Sequence, residues 1–381
     1  MPKVLFYVQH LLGIGHLARA SRVASALVED GFSVTMVTGG LPLDGFPAAG
    51  IEHIQLQPAV TSGDGFTKLK DAAGNPVTEE MEAGRREQLL AIYRTQRPDI
   101  VITEAFPFGR RQVRFELLPL LAEIEKSEPR PLVMSSVRDI LQQNRKAGRD
   151  EETAELVKKS FDGVLVHGDP NFMRLEETFP LASEIADKVV YTGLVAPPAP
   201  APAVSKDAEF DVIVSAGGGA VGGALIEAAI GAHAKLPPLG RWCIITGPNL
   251  DPHELSRLSA MAAPEIEIVR FRKDFPSLLA GAKVSISQAG YNTVCDILQA
   301  RCRAVLIPFA ASGETEQTTR AAKLTELGLA ISVTEEGLSA DGLAAAIEQA
   351  LALEPAAHIP MRVDGAKQTA SILRELLANR R

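Results

Sequence analysis

Short apolar runs alternate with amphipathic stretches from the start of the chain. KVLFYVQ from Lys3, FSVTMVT from Phe32, DIVIT from Asp99, PLVMSS from Pro131, GVLVH from Gly163 and KVVYT from Lys188 have the length of strands, and helical patterns begin at His16 and Glu79. Apolar strands separated by helical segments predict βαβ units and a parallel sheet covered on both faces. At VAPPAPAPAVS, Val195 to Ser205, prolines and alanines replace the periodic pattern, as in a semi-rigid extended linker. From Phe210 the alternation resumes with FDVIVSA, RWCIITG, EIEIVRF, AKVSIS, RAVLIPF and LAISV, each followed by a helical stretch. The pattern therefore predicts an N-terminal α/β domain over 1–195, a linker over 196–209, a second α/β domain over 210–360, and a C-terminal helical segment, 361–381, that packs back on the first domain. The segment Val60 to Thr78 has no clear period and is long for a connection, which marks it as a functional loop.

Length and composition agree with this division. The 381 residues exceed one ordinary core, and 46% hydrophobic with 23% charged residues describes a globular chain. A formal charge of −8 lacks the basic footprint of a nucleic-acid binder. Cys243, Cys295 and Cys302 show neither CxxC nor Cys/His spacing, so no disulfide framework or structural zinc site is expected and a reducing cytoplasm fits. Met1 to Gln9 leads directly into glycines and His16 and reads as a first strand rather than a signal peptide. With a mean hydropathy of +0.07, and uncharged stretches that are glycine-rich or proline-broken, no membrane span is expected, which leaves room for peripheral membrane contact alone.

Two glycine loops directly follow predicted strands. Gly13-Ile-Gly15-His16-Leu-Ala18 and Gly217-Gly218-Gly219-Ala-Val-Gly222 both fit a loose GxGxxG/A pattern. A dinucleotide site would need a carboxylate at the end of the next strand to hold a ribose, but those strands end at Thr38 and Thr246, which argues against an NAD or FAD cofactor. SAGGGAVGG, Ser215 to Gly223, instead allows backbone N–H groups to approach a phosphate closely with a helix dipole behind them, as in a diphosphate cradle; glycines that only permit a tight turn are the plainer alternative. His16 falls at the start of the first helix, where the dipole disfavours its cation and suits a general base; the alternative is a structural cap. His10, at the end of the first strand, is a second candidate.

Taken together, these motifs resemble the two-domain glycosyltransferases of the GT-B architecture, in particular the MurG-like branch, glycosyltransferase family 28. GIGHLARA (Gly13 to Ala20), TEAFPFGRR (Thr103 to Arg111), KVVYTGLV (Lys188 to Val195), SAGGGAVGG and SISQAGYNTVCDIL (Ser285 to Leu298) carry the resemblance, which covers nearly the whole chain. It implies an α/β fold of two Rossmann-like parallel-sheet domains facing a cleft, and a metal-independent, cytoplasmic hexosyltransferase. Such an enzyme would move a sugar with inversion from a nucleotide-diphosphate donor, a UDP-sugar, to a hydroxyl-bearing acceptor without a cofactor.

By the same resemblance, the donor nucleotide and diphosphate fall to Gly217, Gly218, Gly219, Phe271, Arg272, Gly290, Asn292, Thr293 and Asp296. Asp296 stands where the family has a glutamate for the ribose hydroxyls. Glu316 and Gln317 correspond to the family's paired glutamines for the donor sugar, with one extra loop residue and Glu replacing the first Gln. His16 would be the catalytic base. Gly13, Gly15, Glu104, Arg110, Arg111 and Arg138, at carboxyl ends of first-domain strands, are acceptor-side candidates, with salt-bridged scaffold as the alternative for the arginines. GIGHLAR is also similar to the GxGHxxR motif of PseG-type nucleotide-sugar hydrolases, in which the histidine activates water. A sugar-nucleotide epimerase of the same architecture and a non-catalytic sugar-nucleotide binding protein are further alternatives.

Overall fold

The computed structural model describes residues 1–11, 14–43, 45–61, 68–142, 146–199, 210–217, 222–247, 250–310, 314–354 and 359–380. They form two compact units, one of Met1–Val195 with Met361–Arg381, the other of Ala196–Pro360.

The first unit runs β1 (Lys3–Val8), α1 (Gly15–Glu29), β2 (Ser33–Thr38), β3 (Glu52–Gln55), β4 (Val60–Thr61), β5 (Leu69–Lys70), α2 (Glu79–Gln96), β6 (Ile100–Glu104), α3 (Arg114–Ile124), β7 (Leu132–Arg138), α4 (Arg149–Ser160), β8 (Gly163–His167) and β9 (Val189–Tyr191). Seven strands form one parallel sheet in the order β3-β2-β1-β6-β7-β8-β9. Central strands such as β6 are buried at every position, which is why the sequence shows them as unbroken apolar runs. β3, EHIQ, is a half-exposed edge strand with no apolar run and was not expected. Within the segment expected to be a loop, β4 and β5 pair antiparallel; positions 62–67 between them lie outside the described residues. α2 starts where Thr78 caps the Met81 N–H and three glutamates in the first turn face the positive end of the dipole.

The second unit contains β10 (Val212–Ser215), α5 (Gly222–His233), β11 (Trp242–Ile245), α6 (Pro252–Met261), β12 (Ile266–Val269), α7 (Phe275–Gly281), β13 (Val284–Ser287), α8 (Tyr291–Ala300), β14 (Ala304–Leu306), α9 (Glu316–Glu326), β15 (Ile331–Ser332) and α10 (Ala340–Ala352). Its parallel sheet has the order β12-β11-β10-β13-β14-β15 over a separate core that includes Trp242, Ile244 and Ile286.

The last helix, α11 (Gly365–Ala378), lies within the expected C-terminal segment and packs on α1 in the first unit. The chain enters it through two backbones in close contact. Leu194 N donates to Arg362 O at 2.8 Å and Gly365 N to Leu194 O at 2.9 Å, while a Cβ on Gly365 would lie 2.2 Å from Gly193 O. Only glycine fits there. Among the described residues no helix is long and apolar enough to cross a membrane, and the three cysteines are free and buried.

In each sheet the first strand is followed by a neighbour on one side and then by one on the other: β1 pairs β2 and β6, and β10 pairs β11 and β13. The crevice at the carboxyl end of such a reversal is where open α/β sheets bind ligands.

Candidate active site

At the first reversal, β1 leads to α1 and β6 ends at Glu104. His16 lies in the first turn of α1, a turn with no acidic residue and no side-chain cap. Its Nδ1 donates to Glu104 Oε1 at 2.8 Å, and its side chain is 19% exposed while that of Glu104 is fully buried. Nε2 makes no hydrogen bond to the described residues, so the neutral ring presents it as a base.

Register builds the rest of the site. Glu104 on β6 stands opposite Ser136 on β7, and His167 ends β8 two residues beyond Leu165, the partner of Ser136. Side chains that pair in register share a face of the sheet, and here they connect. Ser136 Oγ donates to Glu104 Oε2 at 2.6 Å, His167 Nε2 lies 2.9 Å from Ser136 Oγ, and His167 Nδ1 lies 2.9 Å from Thr192 Oγ1. Arg19, 2% exposed, forms an ion pair with Glu104 Oε1 from one helical turn beyond His16.

The charges follow from this packing. Burial lowers the His16 pKa to about 3, helped by the Arg110 and Arg19 charges and opposed by Glu104. The expected direction is present, but burial, rather than the helix dipole, leads its causes. Burial alone would raise the Glu104 pKa; the Arg19 charge and the hydrogen bonds from His16 and Ser136 outweigh it and hold the carboxyl at about 2. His167 is lowered to about 3, first by burial and then by Arg19. Arg110, in a left-handed conformation with φ 59°, donates Nε to Gln9 O at 2.6 Å, and burial brings its pKa down to about 10.

Glu104 is therefore not an open acceptor contact but stands behind His16. Arg110 and Arg138 lie half-buried at the same strand ends, and Arg110 feels the charges of both Glu104 and Arg138. Arg111 is scaffold, since it and Arg114 form ion pairs with Glu152. Gly15 opens α1, and Gly13 lies outside the described residues. His10 is buried with Nε2 2.8 Å from Leu41 O, away from the chain of bonds at Glu104. The sequence suggested no role for Arg19, Ser136, His167 or Thr192; for the last three the available signal was a polar residue near or just past the carboxyl end of an apolar strand, and for Arg19 its place in GIGHLAR.

At the second reversal, β10 runs through Ala216 to Gly217. This glycine has φ +68°, and a Cβ there would lie 2.8 Å from Gln288 Oε1 in the turn after β13. The Gln288 side chain thus reaches the Gly217 turn, and the positive φ favours glycine there. Gly218 and Gly219 lie outside the described residues. Gly290 is the N-cap of α8, whose first turn carries Asn292 and Thr293 and no acid. Open space surrounds the position a Gly290 Cβ would take. Asp296 is on the same helix and only 8% exposed, so it is not a solvated surface residue.

Arg320, fully buried, donates Nη1 to Ala289 O at 2.8 Å and Nη2 to Glu316 Oε1 at 2.6 Å, anchoring the turn that enters α8. Glu316 is thus 2% exposed in an ion pair, and Gln317 Oε1 accepts from Phe309 N at 3.1 Å. Both donor-sugar candidates thus make contacts within the second unit. Beyond β12, Phe271 is 66% exposed, which excludes a core role, and Arg272 is held by Asp274 at 2.7 Å and Glu267 at 3.5 Å. Among the described residues no group of three or more His, Cys, Asp or Glu side chains is arranged to hold a metal ion.

Residues 213–375 match the glycosyltransferase family 28 C-terminal domain. Over 272 residues, 68% of this chain and 63% of the relative, the sequence is 30% identical to the UDP-N-acetylglucosamine--N-acetylmuramyl-(pentapeptide) pyrophosphoryl-undecaprenol N-acetylglucosamine transferase of Paraburkholderia xenovorans (strain LB400). The chain spans less than two thirds of the length of the curated relatives it matches. Among solved structures, CalG4, the calicheamicin glycosyltransferase, superposes with a TM-score of 0.63 at 16% identity, covering 99% of this chain and 97% of that one. MurG of Acinetobacter baumannii gives a TM-score of 0.58 at 17% identity, covering 98% and 100%. Two parallel α/β units with these neighbours define a protein of the GT-B architecture. Within that class the chain is MurG-like, and its residues 213–375 carry the match to the family 28 C-terminal domain.

Proposed function

We propose that this protein is an inverting glycosyltransferase that moves a sugar from a nucleotide-diphosphate donor, a UDP-sugar, to a hydroxyl acceptor. The observation that carries the reading is His16 at the start of α1, bonded to the buried Glu104 at 2.8 Å, in a chain whose residues 213–375 match the family 28 C-terminal domain. His16 Nε2 takes the proton of the acceptor hydroxyl as its oxygen bonds to the anomeric carbon. The bond from that carbon to the diphosphate breaks, and the nucleoside diphosphate leaves with the electron pair. The imidazolium that forms is stabilised by Glu104, which stays ionised.

In the second unit, the glycine turn after β10 and the open first turn of α8 supply N–H groups for the charge developing on the diphosphate, so that transfer needs no metal. Asp296 takes the ribose hydroxyls, and Phe271, exposed at a strand end, stacks on the base. The relatives named as transferring N-acetylglucosamine from its UDP-activated form support a UDP-sugar donor.

The test is incubation with a UDP-sugar panel, with and without candidate acceptors. Acceptor-dependent release of UDP is expected. Equal release to water alone would make the protein a hydrolase, and binding without turnover would make it a sugar-nucleotide binding protein.

A further inference from the structure

We propose that Ser136, His167 and Thr192 act together as a positioning chain that fixes the Glu104 carboxylate, and through it the tautomer and aim of the His16 ring. This rests on the reading of His16 as the base.

The argument starts from what an ionised carboxylate can do, which is accept only. Glu104 Oε1 is occupied by His16 and Arg19, and its remaining oxygen, Oε2, receives the Ser136 hydroxyl at 2.6 Å. A serine has one hydrogen, so Ser136 Oγ must itself accept from His167, whose Nε2 at 2.9 Å then carries the proton. Neutral His167 is left with a bare Nδ1, and Thr192 Oγ1, 2.9 Å away, has to donate to it. Thr192 Oγ1 is also 3.0 Å from Gly193 O, but a hydrogen directed there would leave two lone pairs opposed at His167 Nδ1. The bonds therefore run one way, from Thr192 through His167 and Ser136 to Glu104, and meet the bond from His16 at the carboxylate. All four side chains of that run are at most 1% exposed, and they come from the ends of three neighbouring strands and the turn after a fourth. Bonds aligned in one sense polarise one another. With Oε2 pinned, Oε1 stays on His16 Nδ1, and Nε2 is the nitrogen left open. Neither Ser136, His167 nor Thr192 contacts the reacting atoms in this scheme, so they are positioning residues.

The test reads the His16 ring directly. The chain has seven histidines, so histidine-only ¹⁵N labelling gives a spectrum in which His16 is assigned by its loss in His16→Gln. In the wild-type protein without substrate, near neutral pH, His16 should be almost wholly the Nδ1–H tautomer. Ser136→Ala should release Oε2 and turn the His16 signals into a mixture of the two tautomers; Ser136→Thr, which keeps the hydroxyl, should restore them. His167→Gln, which retains a donor at the Nε2 position, should stay close to wild type, and Thr192→Val should move the signals less than Ser136→Ala does. Where turnover is measured, Ser136→Ala should lower kcat by roughly ten- to hundredfold, the scale on which partners behind a functional histidine act, with the donor KM little changed. An unchanged His16 tautomer in folded Ser136→Ala and Thr192→Val would overturn the proposal. Should Ser136→Ala fail to fold, Thr192→Val decides alone, and wild-type His16 signals in that variant count against the chain. Because the tautomer is read without substrate, its outcome stands whether the protein proves to be a transferase or a hydrolase.

Discussion

The two strand-order reversals are built to one plan and filled differently. Each is backed by a buried arginine paired with a buried glutamate: Arg19 with Glu104 in the first unit, Arg320 with Glu316 in the second. In the first, the carboxylate reaches His16 and holds a ring that is open on its other nitrogen. In the second, the arginine turns to a backbone carbonyl, Ala289 O, just ahead of Gly290, where open space surrounds the position of a Cβ at the start of α8. On the proposed reading, one pair serves a side chain that takes a proton, and the other shapes a backbone that receives an anion. The same ion pair thus does not imply the same chemistry, because the group that the pair supports decides it.

The sharpest way to break this comparison is to damage each reversal and ask which step fails. His16→Ala should lower kcat by about 10² to 10⁴ with donor affinity nearly unchanged. Gly217→Val should do the opposite, since a side chain at φ +68° is strained and would meet Gln288 at the turn proposed to receive the diphosphate. Turnover assays beside calorimetry with UDP separate the two; if His16→Ala weakens UDP binding and Gly217→Val does not, the roles have been assigned to the wrong units.

Removing the carboxylates tests the shared part of the plan. Glu104→Leu and Glu316→Leu each leave an arginine charge buried without its carboxylate, a loss of about 3 to 5 kcal/mol in folding stability. Trp242 is the only tryptophan and sits in the core of the second unit, so its fluorescence in urea reports that unit. Its midpoint should fall in Glu316→Leu and hold in Glu104→Leu, where the loss should show in far-UV circular dichroism. A neutral result for either substitution would mean that the pair adds nothing over an apolar replacement.

How much of this could be read from the sequence depended on range. Central strands of parallel sheets are largely apolar, so β1, with VLFYV, and β6, with IVI, stand out as runs, whereas the edge strand β3, with Glu52 and His53 exposed, has no such signature. His16 was visible because its glycines, its ring and the helix start are adjacent in sequence. Glu104 was visible as a lone carboxylate closing a strand, but its bond to His16 spans 88 residues. The bonds from Glu104 to Ser136, Ser136 to His167 and His167 to Thr192 span 32, 31 and 25 residues. Those pairings are set by strand register, which local patterning does not encode. The donor side was read through motif correspondence, and the structure adds what a motif omits: Glu316 and Arg272 are both held in ion pairs.

A smaller effect sharpens the donor side. Asp296→Ala should lose about 1.5 to 3 kcal/mol of donor binding if its carboxylate accepts from the ribose hydroxyls. A 2′-deoxy donor should then lose less in the variant than in the wild type. Strict additivity of the two losses would show that residue and hydroxyl do not meet.

The smallest effect is a slope rather than a step. His16 and His167 both hold pKa values of about 3 in the folded protein, against about 6.5 in an unfolded chain. Below about pH 6.5 the unfolded state therefore binds protons that the folded state refuses, so stability rises with pH across that window and is lost as pH falls. Each histidine contributes a slope of about 1.4 kcal/mol per pH unit between the two values. The same depression means that kcat should show no acid limb from His16 near neutrality, only a fall as pH approaches about 3, the value for its ring. Replacing His167 by Gln removes one titrating ring while keeping a donor toward Ser136, so urea unfolding of the first unit between about pH 6 and 5 should lose close to half of the acid sensitivity due to the pair. The Trp242 transition of the second unit should be the same in both proteins. If His167→Gln leaves the slope unchanged, His167 is already charged or solvated in the folded state, and the contrast between a proton-handling reversal and an anion-receiving one loses its buried neutral histidine.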